Sequence, residues 1–302
     1  MVSLILAAVA TLPPVPAPAV IPDCVSAAAA RLEEMANDVH AVDPWDAKHA
    51  AQQIGILAAM HTHGLLQHSG GTVYAELGAG RGYLLNALAV CVGPPARLLF
   101  VERKAYRNKA ERSLRRRPSI QVARARCDVA DLELEQAIAV LFDGPVHTPS
   151  TVVVLAKHLC GSATDMALRC AIRARSTGRC KLAGLAMAPC CHHSCSWRAY
   201  VNKPFLKASG IGRREFSILK RLASWCVDSH GGGRPSTAAE GGDGEDRLSR
   251  WGYPPAERAR IGTAVKHLLD AGRAQWLGGE AALVSYVDAA VTPENRLVVW
   301  RC

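Results

Sequence analysis

Three cysteines and two histidines fall within six positions of the stretch MAPCCHHSCSWRAY, which runs from Met187 to Tyr200. Thiols and imidazoles can ligate a metal, attack an electrophile or transfer protons. Adjacent side chains in a strand point to opposite faces, so Cys190 and Cys191 are not expected to converge on one ion. We therefore predict no metal site and expect a polar wall of a reaction cleft, with Cys190 and His192 as candidate catalytic residues.

Two other interpretations of this stretch stay open. Zinc could take one member of each adjacent pair together with Cys195, with His158 or Cys160 as the fourth ligand, although the C-x-x-C spacing of structural zinc sites is absent. A cysteine could also act as a nucleophile toward a pyrimidine ring. Such a nucleophile would suit a reaction on the ring of a base, whereas a reaction at a hydroxyl does not need it.

A second group of residues has the arrangement of a cofactor site. The stretch AELGAGRGYL places Glu76, Gly78, Gly80 and Gly82 directly after an apolar run and at the start of a helical one. Glycines let the backbone turn sharply and approach a ligand, and the G-x-G-x-G spacing differs from the dinucleotide pattern G-x-G-x-x-G. An acid two residues before the first glycine is typical of S-adenosylmethionine sites, where it can pair with the ammonium of the cofactor.

Two further carboxylates follow the next two predicted strands. Glu102 stands in FVER, where a carboxylate can accept hydrogen bonds from both ribose hydroxyls of a nucleoside. Asp128 stands in RCDV and could accept a hydrogen bond from the exocyclic amine of adenine. Three such elements in order, each at the carboxyl end of a strand, predict an S-adenosylmethionine site.

The fourth predicted strand ends in Lys157 and His158, within LAKHLCG. Ligands of open parallel sheets bind at the edge where the strands end, so both side chains are expected beside the substrate. A lysine whose pKa is lowered by burial could orient an acceptor or take its proton. His158, and His192 or His193, are alternatives for the same role.

The elements that must position these residues alternate between strand and helix from Thr72 onward. Five apolar runs, TVYAEL, ARLLFVE, IQVARARCDV, STVVVLAKHL and CKLAGLAMAP, are separated by helical stretches, and AALVSYVD and NRLVVWRC follow near the end. Such alternation is typical of a parallel sheet in a doubly wound fold. We predict an α/β, Rossmann-like S-adenosylmethionine-dependent methyltransferase fold, with a mostly parallel seven-stranded sheet and a C-terminal antiparallel hairpin.

The segments around this sheet divide the chain into three predicted regions. Residues 1–23 are expected to be a disordered or misassigned leader, because their apolar stretch lacks the charged n-region of a signal peptide and is followed by prolines. Residues 24–70 predict a helical segment. The methyltransferase domain is predicted over residues 71–302, with a disordered Gly- and Ser-rich loop at about 229–247.

The composition points to an anionic partner inside the cell. The 302 residues carry a formal net charge of +10, which favours nucleic acid as the partner. The eleven cysteines show no disulfide-domain spacing, which indicates reduced thiols and an intracellular protein. The apolar N-terminal stretch is too short to span a bilayer, so no membrane partner is expected. Nothing in the sequence identifies a protein partner.

Basic side chains form two groups that could contact RNA phosphates, which supply sequence-independent affinity. The first group lies along one predicted helix and its end and consists of Arg103, Lys104, Arg107, Lys109, Arg112, Arg115, Arg116 and Arg117. The second group consists of Arg213, Arg214, Lys220 and Arg221.

Several motifs, taken in order, resemble the eukaryotic tRNA 2'-O-methyltransferase family that modifies nucleotide 4 of the acceptor stem. They are ELGAGRGYL, KHLCGSATDMALRC, CCHHSCSWRAY, FSILKRLASW and LLDAGRAQWL, and the resemblance runs from about Lys48 to the C-terminus. It implies a Rossmann-like methyltransferase with S-adenosylmethionine as methyl donor and tRNA ribose as acceptor. Members of the family usually begin with small Cys/His zinc-binding modules, whereas the first ninety residues here contain only Cys24.

Two alternatives share part of this evidence. A methyltransferase of small molecules or proteins would have the same cofactor elements but no need for the basic groups. A non-catalytic RNA-binding relic would keep the basic groups without transferring a methyl group. A tRNA methyltransferase would work in the nucleus, the cytoplasm or both.

Overall fold

A seven-stranded sheet forms the centre of the protein in the computed structural model, which describes residues 1–36, 47–67, 71–106, 110–143, 150–228 and 252–302. The strands are β1 (Thr72–Leu77), β2 (Ala96–Val101), β3 (Ile120–Ala125), β4 (Ser150–Cys160), β5 (Cys180–Cys190), β6 (Ala282–Ser285) and β7 (Arg296–Arg301). Their spatial order is β3-β2-β1-β4-β5-β7-β6. The first five strands pair in parallel, and β7 runs antiparallel between β5 and β6. The predicted α/β sheet with its C-terminal antiparallel pair is therefore confirmed.

Helices pack on both faces of this sheet. They are α1 (Val2–Ala10), α2 (Asp23–Ala36), α3 (Ala47–Thr62), α4 (Tyr83–Val92), α5 (Glu111–Leu114), α6 (Leu134–Ile138), α7 (Ser162–Ser176), α8 (Lys203–Ala208), α9 (Arg213–Asp228) and α10 (Pro255–Leu277). A π-helical turn (Ala139–Asp143) and a 3₁₀ turn (His192–Ser194) complete the described helical elements. Within the described ranges, no helix combines the length and the apolar character that a membrane span requires.

The two faces of the sheet belong to two separate hydrophobic cores. In β1, Tyr74 packs with residues of α2, α3 and α4, whereas Val73 and Ala75 pack with residues of α6 and α7. Neighbouring side chains of a strand face opposite sides, so a strand covered on both sides must be apolar throughout. This double coverage explains why the strands appear in the sequence as continuous apolar runs.

The N-terminal residues differ from the expected disordered leader. Residues 2–10 form α1, which packs against α10, and the side chain of Ile5 is fully buried. It lies in a third core with Leu268 and Leu269 of α10. The apolar stretch is ordered because α10 offers it a hydrophobic partner. The predicted helical segment contains α2 and α3, and the predicted loop at 229–247 lies outside the described residues.

Candidate active site

A cavity of about 840 Å³ lies at the carboxyl ends of β1 to β4. Eight of the predicted site residues line it: Glu76, Gly78, Gly80, Gly82, Glu102, Asp128, Lys157 and His158. Cys160 lines it as well, while Cys190 and His192 are not among its lining residues. His49 and Gln53 of α3 complete the wall, and no pattern in the sequence marked these two residues for the site.

The glycine turn between β1 and α4 forms one side of the cavity. Gly80 and Gly82 have φ angles of +51° and +85°, a region in which side chains with a Cβ are strained. A Cβ on Gly82 would also lie 2.6 Å from the ring of Phe100, so this position has no room for a side chain. The amide of Gly80 donates a hydrogen bond of 3.0 Å to Glu102, which ties the turn to the end of β2.

Glu76 lies at the base of the cavity, and only 3% of this residue is exposed. Its Oε2 accepts a hydrogen bond of 3.4 Å from the amide of Leu85. Burial raises the pKa of Glu76 to about 8. A buried carboxylate needs a compensating partner, so this position suits a positively charged group of a ligand.

Glu102 and Asp128 follow β2 and β3 along the same edge. Glu102 accepts hydrogen bonds from the amides of Gly80, at 3.0 Å, and Lys104, at 2.8 Å. Asp128 accepts one from the amide of Ala130 at 3.0 Å and lies 3.3 Å from the guanidinium of Arg103. That ion pair is exposed, and exposed pairs contribute little, so a ligand could displace it.

The residues of this edge fit S-adenosylmethionine. A buried acid, a glycine turn and two oriented carboxylates stand in sequence on β1, β2 and β3, which are neighbours in the sheet. The buried acid suits an ammonium, the second carboxylate suits ribose hydroxyls and the third suits an exocyclic amine. The glycine turn leaves the backbone accessible to the ligand.

Lys157 and His158 face the cavity together, although they are adjacent in sequence. The pairing of β4 with β5 shifts its register between Lys157 and Leu159, and His158 has a φ angle of +70°. This irregularity breaks the alternation of a regular strand. As a result, the Nζ of Lys157 lies 2.7 Å from the Nε2 of His158.

The surroundings of this pair set its protonation. Lys157 is 5% exposed, and burial lowers its pKa to about 8. His158 is exposed on the cavity wall, and partial desolvation, followed by the charge of Lys157, lowers its pKa below the usual value. At neutral pH His158 is therefore uncharged and can accept a hydrogen bond from the ammonium of Lys157. The ring of His49 packs edge-on against His158 with a centroid distance of 5.7 Å.

His192, a predicted catalytic residue, lies away from the cavity in a buried ionic network. Its Nε2 is 2.9 Å from both carboxylate oxygens of Asp270, and its Nδ1 is 3.6 Å from Glu294. Burial opposes its positive charge, but Asp270 and Glu294 outweigh that effect and raise the pKa of His192. The structure therefore places His192 outside the cavity wall, beside two acidic residues. Strand alternation in the sequence could not locate these partners, because Asp270 and Glu294 lie far along the chain.

Other buried charges extend this network to α7 and α10. Arg273 donates hydrogen bonds to Asp165, at 2.7 Å, and to Asp270, at 2.8 Å. It also contacts the sulfur of Cys195 at 3.2 Å. These contacts fix the turn that follows β5. They also place Cys195 beside a guanidinium, away from the other cysteines of the stretch.

The thiols of Cys160, Cys190 and Cys191 lie close together at the ends of β4 and β5. The sulfur atoms of Cys160 and Cys190 are 3.6 Å apart, and the three sulfur atoms lie within 4.8 Å of one another. The expectation that Cys190 and Cys191 diverge is therefore wrong. Cys191 has φ +51° and ψ +47°, so the backbone leaves the strand geometry on which that expectation relied.

The candidate catalytic residue Cys190 is 8% exposed and sits behind Cys160. Hydrogen bonds with Cys190 and Cys191 lower the pKa of the Cys160 thiol. All eleven cysteines of the chain are free. Of the three clustered thiols, only that of Cys160 reaches the cavity wall.

The first basic group does not follow a single helix. The only helical part described in that stretch is Glu111–Leu114, and Arg107 and Lys109 lie outside the described residues. Arg103, Lys104, Arg112, Arg115, Arg116 and Arg117 are exposed. Arg116 and Arg117 precede β3 and so lie at the opposite edge of the sheet from the cavity, whereas Arg103 and Lys104 line the cavity. In the second group, Arg213, Arg214 and Arg221 are exposed on α9 and Lys220 is half-buried.

Comparison with known proteins adds a family and several relatives. The model of the methyltransferase TRM13 family matches residues 51–301. The tRNA:m(4)X modification enzyme TRM13 of Kluyveromyces lactis is 35% identical over 195 residues, which are 60% of this chain and 41% of that protein. The enzyme of the same name from Schizosaccharomyces pombe is 30% identical over 83% of this chain and 67% of its own length. The Mus musculus homolog is 29% identical over 83% and 63%. The chain thus spans between 41% and 67% of the length of these relatives.

Proposed function

Because the chain belongs to the TRM13 methyltransferase family, we propose that it transfers a methyl group from S-adenosylmethionine to the ribose 2'-hydroxyl of nucleotide 4 in the acceptor stem of tRNA. The observation that carries this proposal is the shared cavity of the buried acid Glu76 and the Lys157–His158 pair. One side of the cavity suits a methyl donor, and the other offers nitrogen atoms to a hydroxyl. The relatives named above are tRNA modification enzymes, which supports tRNA as the substrate.

The donor would be held by residues from three neighbouring strands. Glu76 would pair with the ammonium, Glu102 would accept the ribose hydroxyls, and Asp128 would accept the adenine amine. The turn from Gly78 to Gly82 would lie against the donor with its backbone. When bound, S-adenosylmethionine supplies an electrophilic methyl group carried on a sulfonium.

Positioning of the acceptor supplies most of the catalysis, because holding two reactants in line avoids a large entropic cost. Lys157 orients the ribose hydroxyl through Nζ and takes its proton when the amine is neutral. His158 accepts a hydrogen bond from Lys157 and keeps Nζ directed along the cavity wall. A group with this role contributes roughly 10² to 10⁴-fold in rate.

Exposed basic residues supply affinity for the tRNA backbone. Arg103 and Lys104 are exposed and stand at the cavity, so they are suited to phosphates that flank the reacting nucleotide. Arg213 and Arg214 are exposed on α9 and are further candidates for phosphate contacts. Acceptor-stem RNA is read mainly through its backbone and shape. A tRNA substrate implies that the chain works in the nucleus, the cytoplasm or both.

Analysis of the methylated product tests this function. The chain is incubated with labelled S-adenosylmethionine and unmodified tRNA, and the tRNA is then digested and analysed by mass spectrometry. We expect a 2'-O-methylnucleoside that maps to nucleotide 4. A methyl group on a base would exclude the ribose assignment. Transfer to small molecules or proteins without transfer to tRNA would favour the alternative methyltransferase, and absence of any transfer would favour the non-catalytic RNA-binding protein.

A further inference from the structure

Three cysteine side chains from two neighbouring strand ends converge beside the cavity, and the proposed methyl transfer gives them no role. Cys160 ends β4, Cys190 ends β5, and Cys191 follows directly. We propose that these three thiols form a binding site for a thiophilic divalent cation, and that zinc is the ion it fits best. The site replaces the expectation, drawn from the sequence, that the stretch binds no metal.

The spacing of the sulfur atoms matches a metal site better than a disulfide. Zinc–sulfur bonds of 2.3 Å in tetrahedral geometry separate two sulfur atoms by about 3.8 Å. The sulfur atoms of Cys160 and Cys190 are 3.6 Å apart, far beyond the roughly 2.05 Å of a disulfide bond. A disulfide would also use two thiols and leave the third without a role, whereas an ion can take all three, which lie within 4.8 Å.

The fold holds these thiols in place before any ion binds. Cys160 and Cys190 are register partners on adjacent parallel strands. The amide of Gly161 donates a hydrogen bond of 3.0 Å to the carbonyl of Cys190, which joins the two strand ends. A Cβ on Gly161 would lie 2.6 Å from the backbone of Ser194, so the glycine allows the two turns to approach. A site that is already formed loses less conformational entropy on binding.

The buried ionic network fixes the remaining thiol. Cys191 enters the turn with a left-handed backbone, and its carbonyl accepts a hydrogen bond of 2.8 Å from the amide of Ser194. The next residue, His192, is anchored by Asp270 at 2.9 Å. The network therefore directs Cys191 toward the other two thiols.

The surroundings of the three thiols give an ion access to them. The fourth ligand position of the ion would then be taken by solvent. Cys160 is exposed at the cavity wall, Cys191 is half-buried and Cys190 is buried. Three protein ligands with an open fourth position are the arrangement of catalytic rather than structural zinc sites. The cation would join the end of β4, which carries Lys157 and His158, to the end of β5.

Metal analysis tests the proposal without reference to methyl transfer. The full chain is purified under reducing conditions, supplied with zinc and freed of unbound metal. We expect about one zinc ion per chain in the wild type, and a large loss of zinc in Cys160→Ser and Cys191→Ser. Serine is nearly isosteric with cysteine and both positions are accessible, so circular dichroism should show an unchanged fold. The matched control is Cys127→Ser, which removes a thiol that lines the same cavity but lies outside the cluster and should keep its zinc.

Cobalt substitution gives a second, spectroscopic measurement of the same site. We expect a thiolate-to-cobalt charge-transfer band in the wild type, which should weaken in Cys160→Ser and persist in Cys127→Ser. The proposal is overturned if the wild type binds no stoichiometric zinc and shows no such band. It is equally overturned if Cys160→Ser and Cys191→Ser retain as much zinc as the wild type.

Discussion

At the scale of single residues, the proposed transfer depends on two buried ionisable groups that line one cavity. Burial lowers the pKa of Lys157 to about 8 and raises the pKa of Glu76 to about 8. Each charge favours the other, because the lysine lowers the pKa of the glutamate and the glutamate raises that of the lysine. A donor with an ammonium group would satisfy Glu76 directly and leave the amine of Lys157 to the acceptor.

Removal of the Lys157 side chain should slow the chemical step and leave donor binding intact. We expect Lys157→Ala to reduce the rate of methyl transfer by roughly 10²-fold or more at saturating tRNA, with the donor Kd nearly unchanged. Single-turnover kinetics and calorimetry measure the two quantities. Lys181→Ala is the matched control, because Lys181 is exposed at the opposite end of the parallel strands. A rate within a few-fold of wild type would remove Lys157 from the mechanism.

The pH dependence of the rate should follow the titration of Lys157. The neutral amine is the proton acceptor, and the pKa of Lys157 is about 8. The single-turnover rate should therefore rise about tenfold per pH unit below 8 and level off above it. Lys157→Ala should lose this dependence. A wild-type rate that is flat across this range would show that the lysine orients the acceptor without taking its proton.

A side chain at Gly80 should block the donor. A Cβ at this position would meet no protein atom within 4 Å, so the added group would occupy the cavity itself. We expect Gly80→Asp to abolish donor binding in calorimetry. Gly93→Asp is the control, since Gly93 also has a positive φ and open space but does not line the cavity. Equal donor affinity in the two variants would contradict the cofactor assignment.

At the scale of elements, the regular parts of the fold can be predicted and the irregular parts that build the site cannot. The run TVYAEL coincides with β1. The glycines that follow it predict a ligand site at the end of this strand, and Glu76 does line the cavity there. By contrast, His158 and Cys191 adopt positive φ, which only a few per cent of non-glycine residues do, so a sequence pattern does not predict it. These two positions turn Lys157, His158 and the paired cysteines away from strand alternation.

Long-range partners are the other part that the sequence does not indicate. The acid that binds His192 is Asp270, which lies far along the chain on α10. Only the packing of α10 against the turn after β5 brings them together. The contact of α1 with α10 escapes prediction for the same reason, since a short apolar stretch carries no information about its partner.

The buried network should stabilise the element that carries the thiols. We expect His192→Ala to lower the free energy of unfolding by about 3 kcal/mol or more, because it removes one member of a buried, hydrogen-bonded ion pair. Chemical denaturation measures the change. The exposed neighbour variant His193→Ala should change it by less than about 0.5 kcal/mol. If His192→Ala is as stable as wild type but does not transfer methyl groups, His192 belongs to the reaction after all.

At the scale of the whole molecule, some of the basic residues behind the net charge of +10 lie at two opposite edges of the sheet. Arg103 and Lys104 stand at the cavity edge, and Arg116 and Arg117 stand at the opposite edge. Residues that contact the RNA next to the reacting nucleotide should therefore lie at the cavity edge. The sequence alone grouped all of these residues together, because they are close along the chain.

Removal of basic residues at the two edges should therefore affect tRNA binding differently. We expect the double substitution Arg103→Ser and Lys104→Ser to weaken tRNA binding in the absence of donor, and to reduce the slope of log affinity against log salt by about 1 per lost phosphate contact. The double substitution Arg116→Ser and Arg117→Ser removes the same charge and should have a smaller effect. Equal effects from both pairs would indicate that only net charge matters.

Methyl transfer to the ribose 2'-hydroxyl of tRNA nucleotide 4 can be checked by removing that single hydroxyl from the substrate. Methyl transfer is measured with three synthetic tRNAs that are identical except for one 2'-deoxyribose, placed at nucleotide 3, 4 or 5. We expect transfer to be lost only when the deoxyribose stands at nucleotide 4. Full transfer to the tRNA that lacks this hydroxyl would exclude it as the methyl acceptor.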